Sequence, residues 1–150
     1  QPKEWWSHVA EKFHVDPNAD PVCEMFHPQV NQPVIDIIRD LKARGGVRLL
    51  LGSNTCRSHW QAIDAMVPLS SLMDHCYLSC DMHLSKPDPE FFLAITGKER
   101  LDPAECLFVD DLQENIEGAA KAGLKTFHFQ DTPLWPADWA LRDLLGLPLR

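Results

Sequence analysis

The chain is poor in positive charge: 14 Lys and Arg stand against 22 Asp and Glu in 150 residues, a formal net charge of −8. That balance argues against a nucleic-acid binder, because phosphate backbones attract Lys- and Arg-rich surfaces. The chain also lacks any apolar run near the roughly 20 residues that cross a bilayer, which excludes a helical membrane span. Its five cysteines are an odd count that suits no closed disulfide framework. With no charged, apolar, small-residue leader pattern at its start, they are expected to be reduced thiols in the cytoplasm. What remains, at 45% hydrophobic and 24% charged, is the composition of an ordinary globular domain able to bury a core.

The chain opens Gln1-Pro2-Lys3-Glu4, a Pro and a Glu suited to a first helical turn, with no Met and no Ser, Thr or Asp cap ahead of them. We therefore expect a piece upstream of Gln1. Trp5, Val9 and Phe13 recur every four residues and predict an amphipathic helix. Four prolines between His14 and Pro33 predict a connector. Val34, Ile37, Ile38 and Leu41 form a second helical stripe, stopped by Gly45-Gly46.

From there apolar runs alternate with helical stretches. Strands are expected at Val47–Leu51, Cys76–Ser79, Cys106–Val109 and Lys125–Phe129. Helices are expected at Arg57–Met66, Pro89–Ile95, Leu112–Ala122 and Pro136–Leu145. This alternation predicts parallel β-α units, an α/β three-layer fold with helices on both faces of the sheet.

In such folds ligands bind beyond the carboxyl ends of the strands. Three of those ends carry chemistry: Gly52-Ser53-Asn54-Thr55 after the first strand, Ser85-Lys86-Pro87-Asp88-Pro89 after the second, and Asp110-Asp111 after the third. Paired carboxylates hold a hard divalent ion such as Mg²⁺. An ammonium and a hydroxyl beside them can hold a phosphoryl group. Each piece also has a plainer reading. Asp110-Asp111 could cap the following helix, Ser53-Asn54 could be turn residues, and Lys86 could be a solvated loop lysine. His75, Cys76, Cys80 and His83 have poor zinc-ligand spacing and read better as buried thiols with unrelated histidines.

In series, Leu49-Leu50-Leu51-Gly52-Ser53-Asn54-Thr55, Lys86-Pro87-Asp88-Pro89 and Leu107-Phe108-Val109-Asp110-Asp111 resemble the second, third and fourth motifs of the haloacid dehalogenase-like (HAD) hydrolases. The stretch from Asn115 to Gly118 is similar to the helix that follows in that family. Arg57, Tyr77-Leu78-Ser79 and Asp110-Asp111 resemble, within it, bacterial phosphatases of the glucose-1-phosphate phosphatase type. The resemblance implies a Rossmann-like HAD core over residues 31–150 and a partial helical cap with its connector over residues 1–30. It implies a Mg²⁺-dependent phosphatase of small phosphorylated metabolites, sugar phosphates first. Ser53, Asn54 and Lys86 would bind the phosphoryl group, and Asp110 and Asp111 the metal.

One motif of that family is missing. No Asp-x-Asp occurs in the 150 residues. In the family its first Asp is the nucleophile and its second the general acid/base. Its strand lies mid-sheet, between those matching Val47–Leu51 and Leu107–Val109, so two strands here should lack a neighbour. The alternative is a truncated or degenerate HAD fold acting as a binding or scaffold domain. Dehalogenase chemistry is disfavoured, since that branch does without a metal. The Trp5/Trp6 and Trp135/Trp139 pairs leave a homodimer open.

Overall fold

The computed structural model describes residues 11–12 and 28–149. The expected Trp5–Phe13 helix and the connector up to residue 27 lie outside these, apart from Glu11 and Lys12, which are helical. In chain order the elements are α1 (Gln32–Arg44), β1 (Leu50–Ser53), α2 (Arg57–Met66), α3 (Leu69–Leu72), β2 (His75–Leu78), α4 (Ser79–Met82) and α5 (Pro89–Glu99). A 3₁₀ turn (Pro103–Glu105) follows, then β3 (Leu107–Asp110), α6 (Gln113–Lys121), β4 (Lys125–His128) and α7 (Ala137–Leu144).

Every expected helix of this region is present. The Asn31 side chain caps α1 by accepting from the Val34 amide, and Gly45 stops the helix at φ 70°. Three of the four strands begin one to three residues away from where apolarity placed them, and the fourth begins at Lys125 as expected. Val47 is exposed and Arg48 turns aside to reach Glu99, so β1 starts at Leu50 and runs through Gly52 to Ser53. Ser79 leaves its strand to open α4, and Asp110 joins β3.

The four strands pair in parallel as two separate ladders. Leu50 to Ser53 of β1 match His75 to Leu78 of β2, and Leu107 to Asp110 of β3 match Lys125 to His128 of β4. Among the described residues, β1 and β3 each have a neighbour on one side and none on the other. All four strands are edge strands there, and β1 and β3 are the two that the sequence led us to expect without a flanking partner.

The helix α5 spans the interruption. Asp88 caps it by accepting from the Glu90 amide, and Pro89 opens its first turn. Phe91, Phe92 and Ile95 are buried with Ala119 and Ala122 of the α6 segment. Leu50 and Tyr77 pack on this cluster from the first strand pair and Phe108 from the second. Gly52 lets β1 lie close on α5, since a Cβ there would sit 3.0 Å from the Phe91 ring. Burial of each Phe contributes roughly 2–3 kcal/mol of transfer free energy. On the other face, Ile37 and Leu41 of α1 and Leu141 of α7 form a second core against Leu49, Val109 and Phe127. The layers are therefore helix, strand and helix, the α/β order expected.

At the amino ends of β1 and β2, the carboxylate of Glu99 gathers three donors. Arg48 binds Oε2 at 2.6 Å, while His75 Nδ1 and the Tyr77 hydroxyl reach Oε1 at 2.5 Å each. The Tyr77 hydrogen bond, then Arg48 and His75, outweigh burial and hold the Glu99 carboxyl below its ordinary 4.5. Because the folded value lies below the unfolded one, the unfolded chain takes up the proton first as pH falls. The stabilisation is complete above about pH 4.5 and is lost as pH drops through the depressed folded value. Glu99→Gln should lower the unfolding free energy by about 2 kcal/mol at pH 7. Urea denaturation should show its deficit against the unsubstituted chain shrinking below pH 4.5; a deficit that stays constant to pH 3 would be inconsistent with an ionised Glu99.

Candidate active site

Each ladder is parallel, and the hydrogen bonds from Asn54 to Lys86 and from Lys86 to Asp110 bring the ends of β1, β2 and β3 to one edge. The loops leaving those ends meet there. Ser53 closes β1 and is half-buried, and Asn54 follows it. The Asn54 amide spans to the next loop: Nδ2 donates to the Lys86 carbonyl at 2.8 Å, and Oδ1 accepts from the Lys86 amide at 2.9 Å. Behind it the Ser79 hydroxyl accepts from the Thr55 amide at 3.0 Å, joining the ends of β1 and β2.

From this anchored backbone the Lys86 side chain runs across the Phe108 ring, its Nζ 5.5 Å from the ring centroid, to Asp110 Oδ2 at 2.7 Å. Lys86 and Asp110 expose only 12% and 8% of their side chains, so the pair is shielded. The other oxygen of Asp110 accepts from the Asn115 side chain and from the Leu112 amide, each at 2.9 Å. Burial pushes the Asp110 carboxyl up. Hydrogen bonds from Lys86, Asn115 and Leu112, with the charge of Lys86, more than reverse that and hold it below the usual carboxylate range. Asp111 is exposed beside it, and His128 Nε2 donates to its carbonyl at 2.9 Å.

Asn54, Lys86 and Asp110 thus form one hydrogen-bonded chain across three strand ends, with Ser53 and Asp111 adjoining it. Asp110 also turns the chain into α6 through the Leu112 amide, so one residue both enters the helix and anchors this hydrogen-bonded chain. Asn115, five residues after Asp110, is 4% exposed and orients the carboxylate. Its spacing from Asp110 was legible only as part of the family's helix. The residues of α2 sit apart from this chain: Arg57 pairs with Asp81 at 3.0 Å, and His59 and Trp60 are half-buried. His75 is engaged with Glu99 at the opposite end of the strands.

The donor set suits Mg²⁺. Hard oxygen donors are what that ion takes, and it commonly uses one or two carboxylates with water and substrate phosphate completing its shell. Asp110 and Asp111 supply two carboxylates, and Asp110 is held ionised. Among the described residues, no third His, Cys, Asp or Glu completes a metal-holding group with them.

The fold is thus parallel α/β, with a lysine–aspartate pair and a second carboxylate at its strand ends. A family model of haloacid dehalogenase-like hydrolases matches residues 3–123. The chain belongs to that family. It is 31% identical over 118 residues to D-ribitol-5-phosphate phosphatase of Bacteroides thetaiotaomicron, covering 76% of this chain and 55% of that one. It is 31% identical over 88 residues to flavin mononucleotide hydrolase 1 of Arabidopsis thaliana, covering 59% of this chain and 34% of that one. The chain therefore spans about a third to about a half of these relatives' length. A HAD family enzyme of Bacteroides thetaiotaomicron, solved with magnesium and inorganic phosphate, superposes with a TM-score of 0.73 at 27% identity, over 87% of this chain and 69% of that one.

Removing the ammonium from this pair should expose what Asp110 costs when unpaired. Lys86→Met is expected to lower stability by about 3 kcal/mol at pH 7, because a shielded carboxylate loses its counter-charge. Adding Asp110→Asn should restore part of that loss. Chemical denaturation of both variants checks it; a double variant no more stable than Lys86→Met would contradict the pairing.

Proposed function

We propose that the protein to which this chain belongs is a Mg²⁺-dependent phosphatase of small phosphorylated metabolites, with sugar phosphates its first candidate substrates. The observation that carries this reading is the Lys86–Asp110 pair, 2.7 Å long and shielded, at the meeting point of three strand ends. Family membership and the phosphatases among its relatives point the same way.

Lys86 Nζ and Ser53 Oγ bind the phosphoryl oxygens, the ammonium offsetting their negative charge. Asp110 and Asp111 would hold Mg²⁺, which when bound neutralises phosphoryl charge and orients the group for in-line displacement. Asn115 and the Leu112 amide keep the Asp110 carboxylate ionised and fixed in direction. Asn54 contributes through Lys86, since both ends of its amide are engaged on that residue's main chain.

The attacking carboxylate belongs to the family's Asp-x-Asp motif, which these 150 residues do not contain. A cleft of about 90 Å³ between the two strand pairs, lined by Leu50 and Gly52 on one side and Leu107 and Phe108 on the other, over Phe91 and Phe92, is where we place that strand. A strand there would pair with both free edges, and its carboxyl end would emerge between Ser53 and Asp110. The four free cysteines among the described residues suit a reducing compartment, the cytoplasm. The net charge of −8 argues against a nucleic-acid partner. Among the described residues no helix is long and apolar enough to cross a membrane.

The test is phosphate release by the complete protein from a panel of sugar phosphates and an aryl phosphate. Turnover should require Mg²⁺, stop on addition of EDTA and fall at least about 100-fold in Asp110→Asn. Turnover indifferent to both EDTA and Asp110→Asn, or none from any substrate, would overturn the reading.

A further inference from the structure

The side chain of Lys86 can act only where its backbone puts it, and two residues on different elements hold that backbone. One is Asn54, whose amide donates to the carbonyl and accepts from the amide of Lys86. The other is Gly118, in the middle of α6. A Cβ built on Gly118 would fall on the Pro87 carbonyl oxygen and stand 2.8 Å from the Pro87 carbonyl carbon and 3.1 Å from Pro87 Cα. No side chain fits there. The loop bearing Lys86 lies directly on the bare face of α6.

We propose that Gly118 and Asn54 are positioning residues that together set the place of the Lys86 ammonium; the proposal rests on the phosphatase reading above. The contact at Gly118 is not one a substituted helix relieves by shifting. Its neighbours Ile116 and Ala119 are buried at 8% and 0% exposure, anchoring α6 in the core. Ser85, Pro87 and Asp88 are exposed. A methyl group at position 118 therefore displaces the loop rather than the helix, and Lys86 moves with it. The same helix carries Asn115, which holds Asp110. One turn of α6 thus fixes the carboxylate directly and seats the loop of the ammonium three residues on, so the two charges share a reference. Asn54 supplies the opposing hold from the end of β1.

This arrangement separates two ligands. Phosphate affinity depends on where the Lys86 ammonium sits, whereas Mg²⁺ affinity depends on Asp110 and Asp111, which Asn115 and the Leu112 amide continue to hold. In the complete protein, calorimetric titration of inorganic phosphate in the presence of Mg²⁺, and of Mg²⁺ alone, is expected to show Gly118→Ala weakening phosphate about tenfold while Mg²⁺ affinity changes less than about twofold. Asn54→Ala should give the same selective loss, and Lys86→Met a phosphate loss at least as large.

A residue that merely supports the fold would weaken both ligands together. Equal losses, or unchanged phosphate binding in both positioning variants, would overturn the proposal. If Gly118→Ala does not regain the circular-dichroism spectrum of the unsubstituted protein, Asn54→Ala decides by itself: a selective phosphate loss supports the proposal and an unchanged affinity overturns it. Absence of phosphate binding by the unsubstituted protein, with Lys86→Met no different, is the distinct signature of a failed phosphatase reading and removes this proposal with it.

Discussion

The ion pair between Lys86 and Asp110 is the interaction on which the rest of this edge of the molecule depends. It joins a residue of the loop after β2 to the last residue of β3, and so links two strand pairs that share no ladder among the described residues. A pair this shielded is stabilising only if both members are otherwise satisfied, since taking either charge out of water is costly. That condition is met. Asp110 has two further donors on its second oxygen, and the Lys86 ammonium lies over the Phe108 ring, which favours a cation electrostatically. The hydrogen bond and charge of Lys86, with Asn115 and the Leu112 amide, keep the Asp110 carboxylate ionised.

At the opposite end of the strands a second carboxylate performs a structural task by the same means. Glu99 closes α5, and its three donors tie that helix to the approach of β1 and to β2. The helix beneath the interrupted sheet is therefore tied to the first pair through Arg48, His75 and Tyr77, and its aromatic face also meets the second pair, where Phe92 lies edge-on to Phe108 at 4.9 Å. The apolar contacts make the helix a common floor; the polar ones fix its direction. The contrast between the two carboxylates is informative. Glu99 engages three donors at the amino ends of the strands, whereas Asp110 has an exposed second carboxylate beside it at the carboxyl ends.

Much of this was legible in the sequence. Apolar runs alternating with helical stripes were enough for the α/β class, because burial on both faces of a parallel strand leaves a continuous hydrophobic signature. The polar residues at strand ends were legible for the same reason, as interruptions of apolar runs at places where ligands bind. Strand limits were less so. Val47 is as apolar as the leucines from Leu49 to Leu51, yet the competing pull of Glu99 on Arg48 delays the strand to Leu50. The short helices α3 and α4 were missed, since four residues hold too little periodicity to register. The Glu99 network was invisible for a different reason: Arg48, His75, Tyr77 and Glu99 are up to 51 residues apart and meet only after folding.

Asn54 and Gly118 show where a sequence reading reaches its physical limit. Asn54, after a strand and beside Ser53, reads naturally as a residue facing a ligand, and only the three-dimensional contacts reveal that its amide is committed to the Lys86 backbone. Gly118 reads as a weak point, because glycine inside a helix costs about 1 kcal/mol relative to alanine. That cost is tolerated here for steric reasons. The Pro87 carbonyl occupies the space a methyl group would need, so the loss in helix propensity allows a loop to approach that no other residue would admit. A helix interior that accepts such a loss beside the loop of Lys86 trades local stability for the close seating of that loop, which fixes the backbone from which the Lys86–Asp110 pair is made.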